Sequence, residues 1–473
     1  MSSSPLWPLL ICLHVFGIWS AGHAIMNART PKAAIAWAVC LVQLPYITIP
    51  LYWIFGTSRF KGYAALRRAG SPAIQSTLEQ ILGKLEQYSV FPPRSGRSVY
   101  FENRLIGLPV TRGNDVVLLP NVRRAFDTML ATIDAAEDYI LVQFFIIRDD
   151  EIGREFLEHL CSKAAEGVRV YVLYDEIGCL KLTDRYVREL KKAGVVARVF
   201  QTSRRGKRFQ INFRNHRKIV VVDGRTAFTG GLNVGDEYLG KNPKYGAWRD
   251  THVQVQGPAV QCIQIPFVED WYWATMSIPE ICWDPVAAPH RDIHLFTVPT
   301  GPADDLDNCR LFLMHAFNAA EKRLWISSPY FVPDEALAAS LRLTALRGVD
   351  VRIILPEKPD HLLVYLSTFS YLEDMMSAGV KFYRYRSGFL HQKAMLIDDT
   401  VAAVGSVNLD NRSVHLNFEL MLFAEDRDFA GEVEQMLSGD LSRSRVVPLT
   451  DYTDRSVWFR ISVHVARLFD PIQ

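Results

Sequence analysis

His216-Arg217-Lys218 opens the apolar run Ile219-Val220-Val221-Val222 and ends at Asp223; His391-Gln392-Lys393 opens Ala394-Met395-Leu396-Ile397 and ends at Asp398. After a turn come Gly230-Gly231-Leu232-Asn233 in the first case and Gly405-Ser406-Val407-Asn408 in the second. Both stretches read H-x-K-x4-D-x6-G-[GS]-x-N, with 17 positions from His to Asn (216 to 233 and 391 to 408). One H-x-K-x4-D among 12 histidines is weak evidence of chemistry. Two copies with matching Gly and Asn positions leave little room for accident.

Two imidazoles, two ammonium groups and two carboxamides suit phosphoryl transfer without a metal. One imidazole serves as nucleophile and the other as general acid, while Lys218, Lys393, Asn233 and Asn408, with the Ser406 hydroxyl in one half, supply fixed donors for charge on the phosphoryl oxygens. On a strand, residues i and i+2 share a face, so the His and Lys of each copy are expected to project together while the apolar residues anchor them. Imidazole, with an ordinary pKa of about 6.5, suits both roles but needs a partner on its second ring nitrogen. Acidic residues open the next strand of each copy: Asp250 in Trp248-Arg249-Asp250 and Glu419 in Asn417-Phe418-Glu419. Asp250 is therefore expected to orient His216, and Glu419 to orient His391. Asp223 and Asp398 belong to the catalytic candidates by motif, with a structural role at their strand ends as the alternative.

The elements that must position these groups recur. Alternating patterns predict strands over 140–147, 168–174 and 195–200 and helices over 151–165 and 184–193, an α/β layering with buried β-branched strands. Ala-Ala-Glu at 135–137 returns at 319–321, and Gly167-Val168-Arg169-Val170 returns as Gly348-Val349-Asp350-Val351, offsets of 184 and 181 residues (319 less 135, 348 less 167). Two α/β units, 99–285 and 286–450, are expected to pack about a pseudo-two-fold axis with one site built from both.

Ahead of them lie two apolar runs, 6–21 and 33–55, joined by a short link with Arg29 and Lys32. They predict a transmembrane helical hairpin within 1–56, with helices over about 5–22 and 33–55. Arg59, Lys61, Arg67 and Arg68 then favour a cytoplasmic catalytic part. A helical, Pro- and Gly-broken linker is expected over 57–98, and a C-terminal tail, 451–473, reads either as an amphipathic helix on a membrane or as a helix docked on the domain.

Lys and Arg total 53 against 51 Asp and Glu, so no global field marks a nucleic-acid binder. The basic run Arg204, Arg205, Lys207, Arg208, Arg214, Arg217 and Lys218 reads as a lipid-headgroup surface, a solvated loop being the bland alternative. Seven scattered cysteines form no C-x-x-C and predict neither disulfides nor zinc. The dense aromatics of 268–273 read equally as core and as an interfacial collar.

The doubled motif resembles the phospholipase D superfamily over about 120–440. Arg29-Thr30-Pro31, Tyr52-Trp53-Ile54-Phe55-Gly56, Asp270-Trp271 and Ser328-Pro329-Tyr330-Phe331-Val332-Pro333 are similar to its cardiolipin synthase branch. That resemblance implies transfer of a phosphatidyl group from one phosphatidylglycerol to another through a phosphohistidine, with His216 as nucleophile and His391 as acid and base. It implies no cofactor and no metal, phosphatidylglycerol and anionic membrane lipids as partners, no nucleic acid, a bacterial inner membrane as location, and is compatible with an oligomer. A phospholipase D hydrolase, a transferase using another acceptor, and a nuclease on the same scaffold are the alternatives. Gly231, where the second copy has Ser406, departs from the commoner form of the motif.

Overall fold

The computed structural model describes residues 6–28, 30–56, 60–68, 72–90, 101, 104–201 and 212–470. Arg29, Arg59 and the basic positions 204–208 lie outside them.

A 16-stranded mixed sheet runs through the molecule. From its centre outward the first half comprises Thr111–Leu119, His252–Gln256, Thr226–Gly230, Ile219–Val222, Tyr139–Phe144, Arg169–Asp175 and Val196–Phe200. The second half repeats the order: Ile293–Thr300, Asn417–Glu425, Val401–Gly405, Ala394–Ile397, Arg323–Ser327, Asp350–Pro356 and Lys381–Tyr385, with Ser444–Val446 added at the edge. The halves join where Asn114 of one central strand pairs antiparallel with Ile293 of the other. Antiparallel central strands flanked by the same outward order are what a two-fold relation between halves produces. Every residue of Tyr139–Phe144 and of Ile219–Val222 is buried, because helices cover both faces of these short apolar runs.

The expected helices over 151–165 and 184–193 are Glu151–Ala165 and Asp184–Lys192, and both have side-chain caps: Asp150 accepts from Gly153 N at 3.1 Å and Thr183 from Tyr186 N at 3.2 Å. Val268, Trp271 and Trp273 are buried in Ala259–Thr275, so the dense aromatics are core rather than a collar. The segment read as a linker packs on the body: Pro72–Leu85 buries Ile81 and Leu85 among the side chains of the second half.

At the N-terminus, Leu6–Asn27 is long and apolar enough to cross a membrane. The second apolar run is not the single helix expected over 33–55. It is two helices, Pro31–Gln43 and Pro45–Phe55, broken at Leu44 (φ −130°, ψ 55°). The cause is Pro45, which lacks an N–H and pushes the residue before it out of helical geometry. The chain folds back there. Trp37 and Tyr52, about 22 Å apart along a straight helix, have ring centroids 5.3 Å apart. A Cβ on Gly17 would lie 2.5 Å from the Leu41 carbonyl oxygen and 2.9 Å from Pro45 Cβ, whereas His23 Nδ1 and Tyr52 Oη are hydrogen-bonded at 2.6 Å. Pro45–Phe55 thus retraces the first helix toward the link. Lys32, in the first turn of the run, reaches Glu335 at 2.7 Å, and Phe60 N, just beyond its end, donates to Pro302 O at 3.1 Å, so the run begins and ends beside the body.

Candidate active site

Each motif enters the sheet through a two-residue strand paired with the other half. Arg214–Asn215 runs parallel to the start of Asn417–Glu425 with Asn215 opposite Phe418, and Phe389–Leu390 runs parallel to Trp248–Arg249 with Leu390 opposite Arg249. The next residues extend the register: His216 N donates to Phe418 O at 2.9 Å, and His391 N to Arg249 O at 2.8 Å. His216 therefore meets Glu419 and His391 meets Asp250.

The side chains follow. His216 Nδ1 lies 2.9 and 3.0 Å from the Glu419 carboxylate oxygens, and His391 Nδ1 lies 2.7 Å from Asp250 Oδ2. This reverses the assignment expected from sequence, in which each acid served the imidazole of its own copy. The reason is the crossed ladders, which set each imidazole in register with an acid from the opposite half.

Both carboxylates are fully buried. Glu419 also accepts from Asn417 Nδ2 at 3.1 Å and from the Ser406 hydroxyl, which itself accepts from Leu420 N at 2.9 Å. Ser406, expected to contact phosphate, is spent on the partner of His216. In the other half a Cβ on Gly231 would stand 2.0 Å from Asp250 Oδ1, so glycine is required there by the carboxylate's own position. Asp250 takes Thr251 N at 2.8 Å instead.

Lys218 Nζ donates to His216 O at 2.6 Å, and Lys393 Nζ lies 2.8 and 3.0 Å from the ring nitrogens of His391. Asn233 accepts from Ile146 N at 3.1 Å and donates to Tyr238 Oη at 2.7 Å. Asn408 has a buried Oδ1 without a hydrogen-bond partner among the described residues. Asp223 and Asp398 do not join this cluster. They sit beyond the far ends of Ile219–Val222 and Ala394–Ile397, in left-handed turns at φ 52° and 53°. There Asp223 accepts from the backbone N–H groups of Glu137, Asp138 and Tyr139, each at 2.8 Å, and Asp398 accepts from Glu321, Lys322 and Arg323 at 3.0, 2.7 and 3.0 Å.

The residue between His and Lys points the other way. Arg217 pairs with buried Asp270 at 2.8 Å, and Gln392 donates to Asp440 at 2.7 Å, so each motif is bolted to a helix, Ala259–Thr275 or Arg427–Ser442. Sequence reading missed Asp440, and it missed the rings of Phe145, 5.1 Å from His216, and Tyr238, 6.4 Å from His391. A phenylalanine in an apolar run, a tyrosine in a polar turn and an acid on a helix carry no local signal of a site.

Burial drives both imidazoles down to about 4, further than the facing carboxylates restore. Burial also lowers Lys218 to about 7 and Lys393 to about 8. For Glu419 burial pulls upward, but His216, Lys218 and Ser406 outweigh it and hold the carboxyl below its ordinary value; Lys393 and His391 do the same for Asp250. Near neutral pH each imidazole is uncharged, and a tautomer that donates from Nδ1 to the facing carboxylate keeps an Nε2 lone pair, which in His391 lies 3.0 Å from Lys393 Nζ. Lys393 acts electrostatically on His216 as well as on His391, so the half-sites share one field.

Residues 129–256 and 313–441 match the family described as cardiolipin synthase, PLD-like domain. The chain is 45% identical over 469 residues to Cardiolipin synthase A of Pseudomonas putida (strain GB-1), with 98% of each chain covered. It is 45% identical over 466 residues to Cardiolipin synthase A of Pseudomonas fluorescens (strain SBW25), with 97% of each covered. Among solved structures, phosphatidylserine synthase of Haemophilus influenzae Rd KW20 superposes with a TM-score of 0.59 at 16% identity, covering 76% of this chain and 95% of that one, a likeness of fold. Matched in both halves by the family's domain and along nearly its whole length by these relatives, the chain belongs to the cardiolipin synthase family with phospholipase D-like domains.

Proposed function

We propose that this protein is a phosphatidyltransferase that joins two phosphatidylglycerols into cardiolipin and glycerol, the product being the one its relatives are named for. The observation that carries the reading is the crossed pair of dyads, His216 with Glu419 and His391 with Asp250, in one buried field with Lys218 and Lys393. Nε2 of His216 attacks the phosphorus of the first phosphatidylglycerol, and the P–O bond to its headgroup glycerol breaks as His391 gives that oxygen a proton. A hydroxyl of the second phosphatidylglycerol then loses its proton to His391 and attacks the same phosphorus, and the P–N bond to His216 breaks.

Burial leaves His391 neutral near pH 7, so it must take up a proton from solvent as the substrate binds. An anionic phosphodiester beside the ring raises its basicity, by the same Coulombic logic through which Lys393 lowers it. Lys218, Lys393 and the second Nδ2 hydrogen of Asn233 are donors for the phosphoryl oxygens, a role this reading also gives to Asn408 Nδ2. The units 99–285 and 286–450 each supply half. Ser406 serves as support for Glu419, and Asp223 and Asp398 as anchors of the strand ends.

Leu6–Asn27 serves as the membrane span, and Pro31–Phe55 enters the bilayer from the side of the body and returns to it. Basic residues after position 56 favour a cytoplasmic body on a bacterial inner membrane. Purified protein given phosphatidylglycerol, with its lipids then analysed by mass spectrometry in excess chelator, tests the whole reading. Cardiolipin with stoichiometric glycerol is expected. Phosphatidic acid alone would make the protein a hydrolase, and loss of activity restored by a divalent ion would overturn the metal-free chemistry.

A further inference from the structure

The C-terminal helix Val457–Arg467 buries Val463 and Ala466 and lies along Leu362–Ser377, with Phe459 against Phe369 at 5.2 Å between ring centroids. Its far side is apolar and exposed. Val457, Trp458, Ile461, Val465 and Leu468 fall within an arc of about 100° at 3.6 residues per turn, facing away from Val463 and Ala466. Trp458 and Leu468 are each 78% exposed. A helix that only docked on the domain would be polar there.

Where this stripe lies decides what it meets. Tyr371 donates to Asp470 at 2.6 Å and carries the Arg467 guanidinium 5.5 Å from its ring centroid, which pins the end of the helix. Arg467 is within electrostatic reach of Glu335, and Glu335 is the residue paired with Lys32 at the turn between the first two N-terminal helices. That exposed ion pair contributes little energy, but it marks proximity. The helix therefore ends beside the point where the chain leaves one apolar helix, Leu6–Asn27, and starts the next, whose outward side chains such as Ile25, Met26 and Ile35 are likewise exposed. Arg455, Arg460 and Arg467 add positive charge along the helix.

We propose that Val457–Leu468 is a second membrane contact, an in-plane amphipathic helix whose Trp458, Ile461, Val465 and Leu468 stripe lies in the interface of an anionic bilayer. The occupant is lipid rather than another protein because the stripe's helix ends beside helices that enter lipid, and its flanking charges have the sign anionic headgroups attract. The contact would hold the body against the membrane at a place distant in sequence from the span. It rests on the reading that Leu6–Asn27 is in the bilayer, and the test separates the two.

The full chain is reconstituted in vesicles containing phosphatidylglycerol with a photoactivatable diazirine in its acyl chain, irradiated, cut with trypsin and mapped by mass spectrometry. Cleavage after Arg455, Arg460 and Arg467 isolates residues 456–460 and 461–467. Adducts on both fragments together with adducts on 6–27 are the expected result. Labelling of 6–27 with clean tail fragments overturns the contact and spares the span; labelling of neither overturns both. Clean tail fragments in a chain that becomes monomeric only on Trp458→Glu with Leu468→Glu would assign the stripe to a second copy instead. In a chain that does carry the contact, the same double variant should raise the apparent KM for bulk lipid about threefold or more at unchanged kcat.

Discussion

Glu419 holds His216 from 203 residues away in the chain, its carboxylate oxygens 2.9 and 3.0 Å from Nδ1, while the acid of His216's own half, Asp250, is committed to His391. Each half of the protein thus orients the imidazole of the other. Neither half can present a finished histidine alone.

The crossing predicts which step each acid controls. Glu419→Gln should slow formation of the covalent phosphatidyl-enzyme by roughly two orders of magnitude, because a carboxamide cannot fix the imidazole tautomer as a carboxylate does. Asp250→Asn should leave that adduct able to form and impair its transfer to the acceptor. Rapid-quench measurement of adduct with acyl-labelled phosphatidylglycerol decides the matter. The opposite pattern would mean that the acids serve their own halves in solution.

The histidines should fail differently. His391→Ala is expected to accumulate some adduct, since loss of the acid slows glycerol departure and removes the base for the second step, whereas His216→Ala should form none. Intact mass after a basic quench reads this out, because a phosphoramidate survives base and breaks down in acid. Adduct on His216→Ala alone would exchange the two roles.

The lysines set an alkaline limit. With Lys218 near 7 and Lys393 near 8, their positive charge is present below those values and is lost as pH rises through them. kcat/KM, which reports the free enzyme, should therefore fall between about pH 7 and 9, well short of an ordinary lysine at about 10.4. Lys218→Arg should retain some activity and push the onset of the limb to higher pH, toward the value of Lys393. A flat profile to pH 10 would remove the lysines from the charge balance.

Gly231 and Ser406 occupy equivalent positions but are not interchangeable. Gly231→Ala would bring a Cβ within 2.0 Å of Asp250 Oδ1 and push the carboxylate off His391. Turnover should drop at least about tenfold through misorientation, with the transfer step affected more than adduct formation. Ser406→Ala, which loses one donor to Glu419, should instead weaken adduct formation. Equal effects on both steps from both substitutions would argue against separate dyads.

Asp223 and Asp398 should behave as structural residues. Replacing either with Ala strands three backbone N–H groups at the end of a motif strand, at a cost of roughly 1–3 kcal/mol. The half-life at elevated temperature should shorten, while adduct formed per folded molecule stays within about twofold. A loss of chemistry with normal thermal behaviour would return both residues to the reacting groups.

The sequence by itself determined the half-sites. His216-x-Lys218 and His391-x-Lys393, the buried runs behind them and the 181- and 184-residue offsets are local patterns, and local patterns survive in one dimension. The break at Leu44 escaped the expectation of one helix over 33–55, although Pro45 disfavours helix at the residue before it whatever the surroundings. Only the tertiary structure decided the partnership. Asp250 and Glu419 each follow a motif, 34 residues after His216 and 28 after His391, and such spacing cannot say which imidazole either serves. The answer lies in the parallel pairing of Asn215 with Phe418 and of Leu390 with Arg249, two short ladders between halves. The same holds for Ser406, whose hydroxyl is drawn to Glu419 because buried polar groups must pair with what stands nearest, and for the return of Pro45–Phe55 toward the body, which depends on Gly17 giving room to Leu41 and Pro45. Register between distant strands is a property of packing, and packing fixes which groups meet.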